Sequence, residues 1–153
     1  MVVILDYGVG NLHSVKKAFV YIGQEVVISS DLAVIRRADH LILPGVGAFH
    51  DARLRLRESG MEDAAREAIK AGKPVLGVCL GMQLLYESSL ENGEHPGMGI
   101  LPGRVVPFTG PLKVPHMGWN ALAFHGDSPL FRGISQGSYV YFVHSYYVPY
   151  GGD

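Results

Sequence analysis

Cys79 is the one residue of this chain whose type and setting point directly to covalent chemistry. It stands in Pro74-Val75-Leu76-Gly77-Val78-Cys79-Leu80-Gly81-Met82-Gln83-Leu84-Leu85, where an apolar run is followed by a cysteine between small residues and then by a helix-forming stretch. That order has the form of a nucleophile elbow, a sharp turn from strand to helix that forces the central side chain into the open. Gly77 and Gly81 are expected where a Cβ would collide with neighbouring backbone. Free N–H groups at a helix start favour thiolate over thiol. The Leu80 N–H also points to where an oxyanion would develop. The competing reading is a buried cysteine packed as a small hydrophobe at a strand end. The glycine spacing favours the elbow, and a second glycine-rich strand end, Pro44-Gly45-Val46-Gly47, supports it.

Such a cysteine needs strands and helices to hold it. Val2 to Leu5 reads as a strand, and Leu12, Val15, Phe19 and Ile22 recur at helical spacing up to Gly23. Val26 to Ile28 and Leu41 to Leu43 read as further strands. Ala48 to Ser59 and Met61 to Ala71 read as helices separated by Gly60, and Pro74 to Val78 as the buried strand before the cysteine. This alternation predicts an α/β fold with a mostly parallel, doubly wound sheet. Both glycine-rich segments then fall at carboxyl ends of strands, where open α/β sheets place their sites. After Tyr86, shorter strands are expected around Arg104 to Val106, Ala121 to Phe124 and Tyr139 to Ser145, as antiparallel additions to the sheet. No linker or repeat divides residues 1–153, so a single domain is expected.

Composition excludes several functions. With 13 basic and 14 acidic residues and a net charge of -1, the chain has no field to attract a polyanion, so no nucleic-acid partner is expected. One cysteine cannot form an internal disulfide, and no cysteine cluster suggests a metal, which points to a reducing cytoplasm. No signal peptide or membrane-length apolar run is recognisable, so no membrane association is expected. Gly8-Val9-Gly10 resembles part of a dinucleotide fingerprint, but the third glycine is missing, and no cofactor is expected. Arg53, Arg55 and Arg57, with Arg36, Arg37 and Arg66, are interleaved with Glu58, Glu62, Asp63 and Glu67. They read as a solvated helix face rather than a phosphate site.

Five blocks carry a resemblance across nearly the whole chain: Asp6-Tyr-Gly-Val-Gly-Asn11-Leu-His-Ser-Val, Leu43-Pro-Gly-Val-Gly-Ala-Phe49, Gly77-Val-Cys-Leu-Gly-Met-Gln-Leu-Leu85, Val114-Pro-His-Met-Gly-Trp-Asn120 and Tyr141-Phe-Val-His-Ser-Tyr146. The chain resembles the class I glutamine amidotransferases, and within them the glutaminase subunits of imidazole glycerol phosphate synthase. The resemblance implies that Cys79 attacks the glutamine side-chain amide, with the Leu80 N–H and a backbone N–H of the Gly45-Val46 stretch holding the oxyanion. It implies glutamine binding by Gln83, by Glu91 and by backbone at His144, Ser145 and Tyr146. It also implies a heterodimer with a cyclase/synthase subunit of (β/α)8 barrel type, faced by Asn11, by Trp119 in a Met-Gly-Trp-Asn loop, and by Tyr141. From the residues alone, Trp119 reads by default as a core aromatic, and ordinary strand packing competes with the interface role for Tyr141.

The family's general base is a histidine followed two residues later by a glutamate, in a segment beyond the last block. No His-x-Glu occurs in these 153 residues. The chain is therefore expected to be C-terminally incomplete with respect to the family and inactive alone. The alternatives are a glutaminase serving pyridoxal phosphate or purine synthesis, and a non-catalytic fragment that keeps the fold.

Overall fold

The computed structural model describes residues 1–151. These residues form two compact units, Met1–Val106 with the segment from Val148 onward, and Pro107–Tyr147. The first unit is built on a four-stranded parallel sheet of β1 (Val2–Leu5), β2 (Val26–Ser29), β3 (His40–Leu43) and β4 (Val75–Gly77), in the order β2-β1-β3-β4. Val3, Ile4 and Leu5 are all fully buried, as a central parallel strand covered on both faces requires.

Strand alternation assigns those side chains to two cores. Val3, Leu5, Leu41 and Leu43 pack with Ile35, Phe49, Leu56, Met61, Ala65, Leu80 and Leu84. These come from α2 (Leu32–Arg37), α3 (Phe49–Glu58), α4 (Met61–Lys70) and α5 (Leu80–Leu84). On the opposite face Ile4, Val26 and Ile42 meet Leu12, Val15 and Phe19 of α1 (Leu12–Tyr21). Asn11 starts α1 by accepting the Ser14 N–H at 3.3 Å, and Asp31 starts α2 by accepting the Ala33 N–H at 2.7 Å. Ser29-Ser30-Asp31, whose composition is that of a turn, thus opens a helix. At six residues, α2 is too short to declare itself through periodicity.

The expected late strands are present, with shifts. β5 (Tyr86–Ser89) pairs in parallel with β7 (Leu101–Pro107) and antiparallel with β6 (His95–Pro96), so these strands form a sheet of their own instead of extending the parallel one. In the second unit, β8 (His116–Ala121) and β9 (Tyr139–His144) make an antiparallel ribbon. The strand expected around Ala121 to Phe124 therefore lies earlier, and Met117–Asn120 is the middle of a strand and not a loop. Its register against β9, with Trp119 opposite Tyr141 and Met117 opposite Val143, fixes that assignment. Among the described residues, no helix is long and apolar enough to cross a membrane.

Candidate active site

The site begins where β3 and β4 end side by side. Leu43 is in register with Gly77, and the Val78 N–H donates to the Leu43 carbonyl at 2.9 Å, which brings Pro44-Gly45 alongside the turn that carries Cys79. Cys79 has φ 54° and ψ -118°, a backbone conformation that side-chain-bearing residues rarely occupy. Such residues cost on the order of 1–3 kcal/mol and persist only where surrounding structure imposes them. Here the imposing contacts are backbone to backbone. A Cβ on Gly77 would stand 2.4 Å from the Met82 Cα, and one on Gly81 only 1.9 Å from the Leu43 carbonyl oxygen. The elbow closes only with glycine at both places, and the Cys79 side chain is exposed.

The same packing joins the two oxyanion candidates. A Cβ on Gly45 would lie 2.5 Å from the Gly81 nitrogen and 2.9 Å from the Leu80 Cβ, so the Gly45 backbone rests directly on the first turn of α5. In that turn the Gly81 N–H donates to Val78 and the Met82 N–H to Cys79, each at 3.0 Å. As the first helical residue, Leu80 has no intrahelical acceptor for its own N–H. Val46 is exposed beside it, and Gly47 adopts φ 84°.

Residues 3–150 match the family model described as glutamine amidotransferase class-I. The chain belongs to the class-I glutamine amidotransferase family. It is 53% identical over 159 residues to the imidazole glycerol phosphate synthase subunit HisH of Geobacillus thermodenitrificans (strain NG80-2), which covers 100% of this chain and 74% of that protein. It is 52% identical over 147 residues to the subunit of the same name from Aquifex aeolicus (strain VF5), covering 95% of this chain and 71% of that one. A solved structure titled "Crystal structure of glutamine amidotransferase" superposes with a TM-score of 0.74 at 21% identity, over 99% of this chain and 75% of that chain, which shows the shared fold.

Around the amidotransferase elbow, Gln83 is buried on α5, with its N–H bonded to the Cys79 carbonyl at 3.2 Å. Glu91 does something that sequence reasoning missed. Its carboxylate accepts the Phe49 N–H at 2.8 Å and so caps α3, whose N-cap residue Ala48 has no side-chain acceptor. Tyr7, also missed, donates its hydroxyl to the Pro44 carbonyl at 2.5 Å. Burial pushes this phenol well above its ordinary value, so it remains a donor. No motif marks either role, because each contact spans about forty residues of sequence.

Part of the expected solvated arginine face is in fact buried. Arg53 of α3 pairs with Glu62 of α4, their side chains 13% and 10% exposed, and Arg66 reaches the same carboxylate at 2.9 Å. Arg53 and Arg66 also donate to the Gly97 and Met98 carbonyls. Since Met98 N–H in turn bonds the Leu84 carbonyl at 2.8 Å, this network braces the far end of α5. Charge interleaving looks the same in sequence whether such residues face water or each other. Arg36 and Glu67 do form an exposed pair at 3.0 Å.

The remaining expected residues belong to both units. Asn11 caps α1 in the first unit. In the second unit Trp119 and Tyr141 stand opposite each other on one ribbon face, with ring centroids 5.6 Å apart in a T-shaped arrangement. Met117, Val143 and Tyr139 share that face, and all five side chains are exposed. On the ribbon's other face, His144 bonds the Tyr146 carbonyl through Nδ1 at 2.9 Å and His116 through Nε2 at 3.0 Å. The Ser145 carbonyl accepts from the Phe108 N–H at 3.1 Å. Among the described residues of the first unit, no hydrogen bond joins the Cys79 sulfur to His13, His40, His50 or His95. His50 and His95 instead face each other at 4.6 Å.

Proposed function

We propose that this chain is a glutaminase subunit of the kind that supplies ammonia to imidazole glycerol phosphate synthesis in histidine biosynthesis. The Cys79 sulfur adds to the side-chain amide carbon of glutamine. The carbon–nitrogen bond then breaks as the amide nitrogen takes up the proton given up by the thiol, so that ammonia leaves and a glutamyl thioester remains. Water adds to the thioester, the carbon–sulfur bond breaks, and glutamate and the free thiol are released. Charge on the carbonyl oxygen in both steps is met by the Leu80 N–H and a backbone N–H of Gly45-Val46. Removing one such donor in other enzymes costs on the order of 3 kcal/mol. Gln83 and Glu91 hold the glutamine. The observation that carries this reading is the direct packing of Gly45 on Leu80 and Gly81 beside an exposed, strained Cys79.

The partner is a cyclase/synthase subunit of barrel type. The aromatic pair Trp119 and Tyr141, exposed by 67% and 54%, supports a docking role for that ribbon face, because such side chains anchor interfaces. Asn11, at the start of α1 in the first unit, is a further proposed partner contact. The test is glutamate release from glutamine by the 153-residue chain with and without the barrel subunit, alongside peptide mapping after treatment with a glutamine-like diazoketone. The expected results are an adduct on Cys79 and, because no His-x-Glu occurs in these residues, labelling without rapid steady-state hydrolysis. An adduct elsewhere would remove the nucleophile assignment.

A further inference from the structure

The loop between β3 and α3 is fastened at both ends by hydrogen bonds. At its start the Leu43 carbonyl is held by the Val78 N–H at 2.9 Å, and the next carbonyl, that of Pro44, by the Tyr7 hydroxyl at 2.5 Å. At its end the Phe49 N–H is held by Glu91 at 2.8 Å, and the Ala48 carbonyl by the Ala52 N–H at 3.1 Å. Among the described residues, no backbone–backbone hydrogen bond holds the three peptides from Gly45 to Ala48. Glycine at 45 and 47 lets those peptides turn.

Tyr7 decides what the turning segment is anchored to. The Pro44–Gly45 peptide is trans and planar, so its carbonyl and its N–H point in opposite directions. Holding the Pro44 oxygen on Tyr7 therefore fixes the direction of the Gly45 N–H and the position from which the following peptides swing. The first loop is shaped to allow this. Gly10 has φ 122°, and a Cβ there would meet the Pro44 Cβ at 3.0 Å. The Tyr7 ring itself is locked, 5% exposed, in the main core.

We propose that Tyr7 is a positioning residue for glutamine hydrolysis, its hydroxyl pinning the Pro44–Gly45 peptide as the pivot from which the Gly45–Ala48 segment presents an N–H to the oxyanion at Cys79. The inference rests on reading that segment as half of the oxyanion hole. Tyr7→Phe keeps the ring in the core and removes only the hydroxyl, so the variant folds with a melting temperature lowered by roughly 3 °C.

Two electrophiles separate positioning from mere stability. A chloroketone analogue of glutamine is attacked at its carbonyl, forming an oxyanion before chloride leaves. Iodoacetamide is displaced directly at carbon and forms none. In Tyr7→Phe the maximal rate of Cys79 labelling by the chloroketone falls about tenfold, in keeping with the cost of misplacing a group by a fraction of an ångström. Its half-saturating concentration and the iodoacetamide rate stay within about twofold of the unaltered protein. A chloroketone rate as fast as that of the unaltered protein overturns the proposal alone, and so does an equal loss with both reagents. If the unaltered protein labels with the chloroketone no faster than with iodoacetamide, the oxyanion reading fails and takes the proposal with it.

Discussion

Gly45 and Gly81 approach so closely that a Cβ on Gly45 would stand 2.5 Å from the Gly81 nitrogen. The contact is made by backbone on both sides, so an added methyl cannot be absorbed by a side-chain rotation. Gly45→Ala must push the Pro44–Ala48 loop away from the elbow. We expect a stability loss of about 1–3 kcal/mol, the usual range for overpacking, measured by urea unfolding. Labelling of Cys79 by a glutamine-like diazoketone should fall by at least about tenfold. A variant that labels at the original rate would show that the loop and the elbow act independently.

Glu91 separates capping from substrate binding by charge. Glu91→Ala removes the side-chain acceptor that caps the α3 start and should cost about 1 kcal/mol, as lost N-caps do. Glu91→Gln keeps an oxygen for the Phe49 N–H, so its unfolding midpoint should stay near that of the unaltered protein. If the carboxylate also holds the substrate ammonium, the same Gln variant needs a higher concentration of the diazoketone for half-maximal labelling. An unchanged concentration dependence would confine Glu91 to capping.

The parts of this fold legible in the sequence are those where local pattern and tertiary role agree. β1 and β3 are apolar runs because both of their faces are covered, whereas β4, expected as a buried strand, leaves Leu76 exposed; the elbow announces itself because its glycines are forced by backbone contact. Where the role is decided at long range, the pattern is silent. Tyr86-Glu87-Ser88-Ser89 is polar, yet it becomes a strand through pairing with Leu101–Pro107. Gly118 interrupts what is nonetheless a continuous β8, held by its register with Phe142. Tyr7 sits in what reads as a turn, and only the fold reveals that its hydroxyl meets Pro44.

The Arg53–Glu62–Arg66 network is a stability prediction in the opposite sense to its surface-like sequence. Removing the shared carboxylate by Glu62→Ala leaves Arg53, only 13% exposed, without its partner. Breaking a buried pair in this way costs about 3–5 kcal/mol, whereas an exposed pair is worth under about 1. Arg36→Ala, which breaks the exposed pair with Glu67, is the internal control and should shift the urea midpoint little. Equal small effects from both substitutions would mean that water reaches Glu62.

The ribbon face of Trp119 makes the sharpest distinction between folding and binding. Trp119 is 67% exposed and touches Tyr141 across the strands, so Trp119→Ala deletes one cross-strand aromatic contact and uncovers no core. Such contacts contribute about 0.5–1 kcal/mol, and the unfolding midpoint should move by no more than that implies. Binding is different, because a large aromatic at the centre of an interface commonly carries 2 kcal/mol or more. Titration calorimetry with the barrel subunit should therefore show a loss of affinity of about thirtyfold or greater. Tyr141→Ala should follow in the same direction, and Leu112→Ala, 73% exposed elsewhere in the same unit, should not. If the Trp119 variant binds as tightly as the unaltered chain, this aromatic face is not where the partner docks.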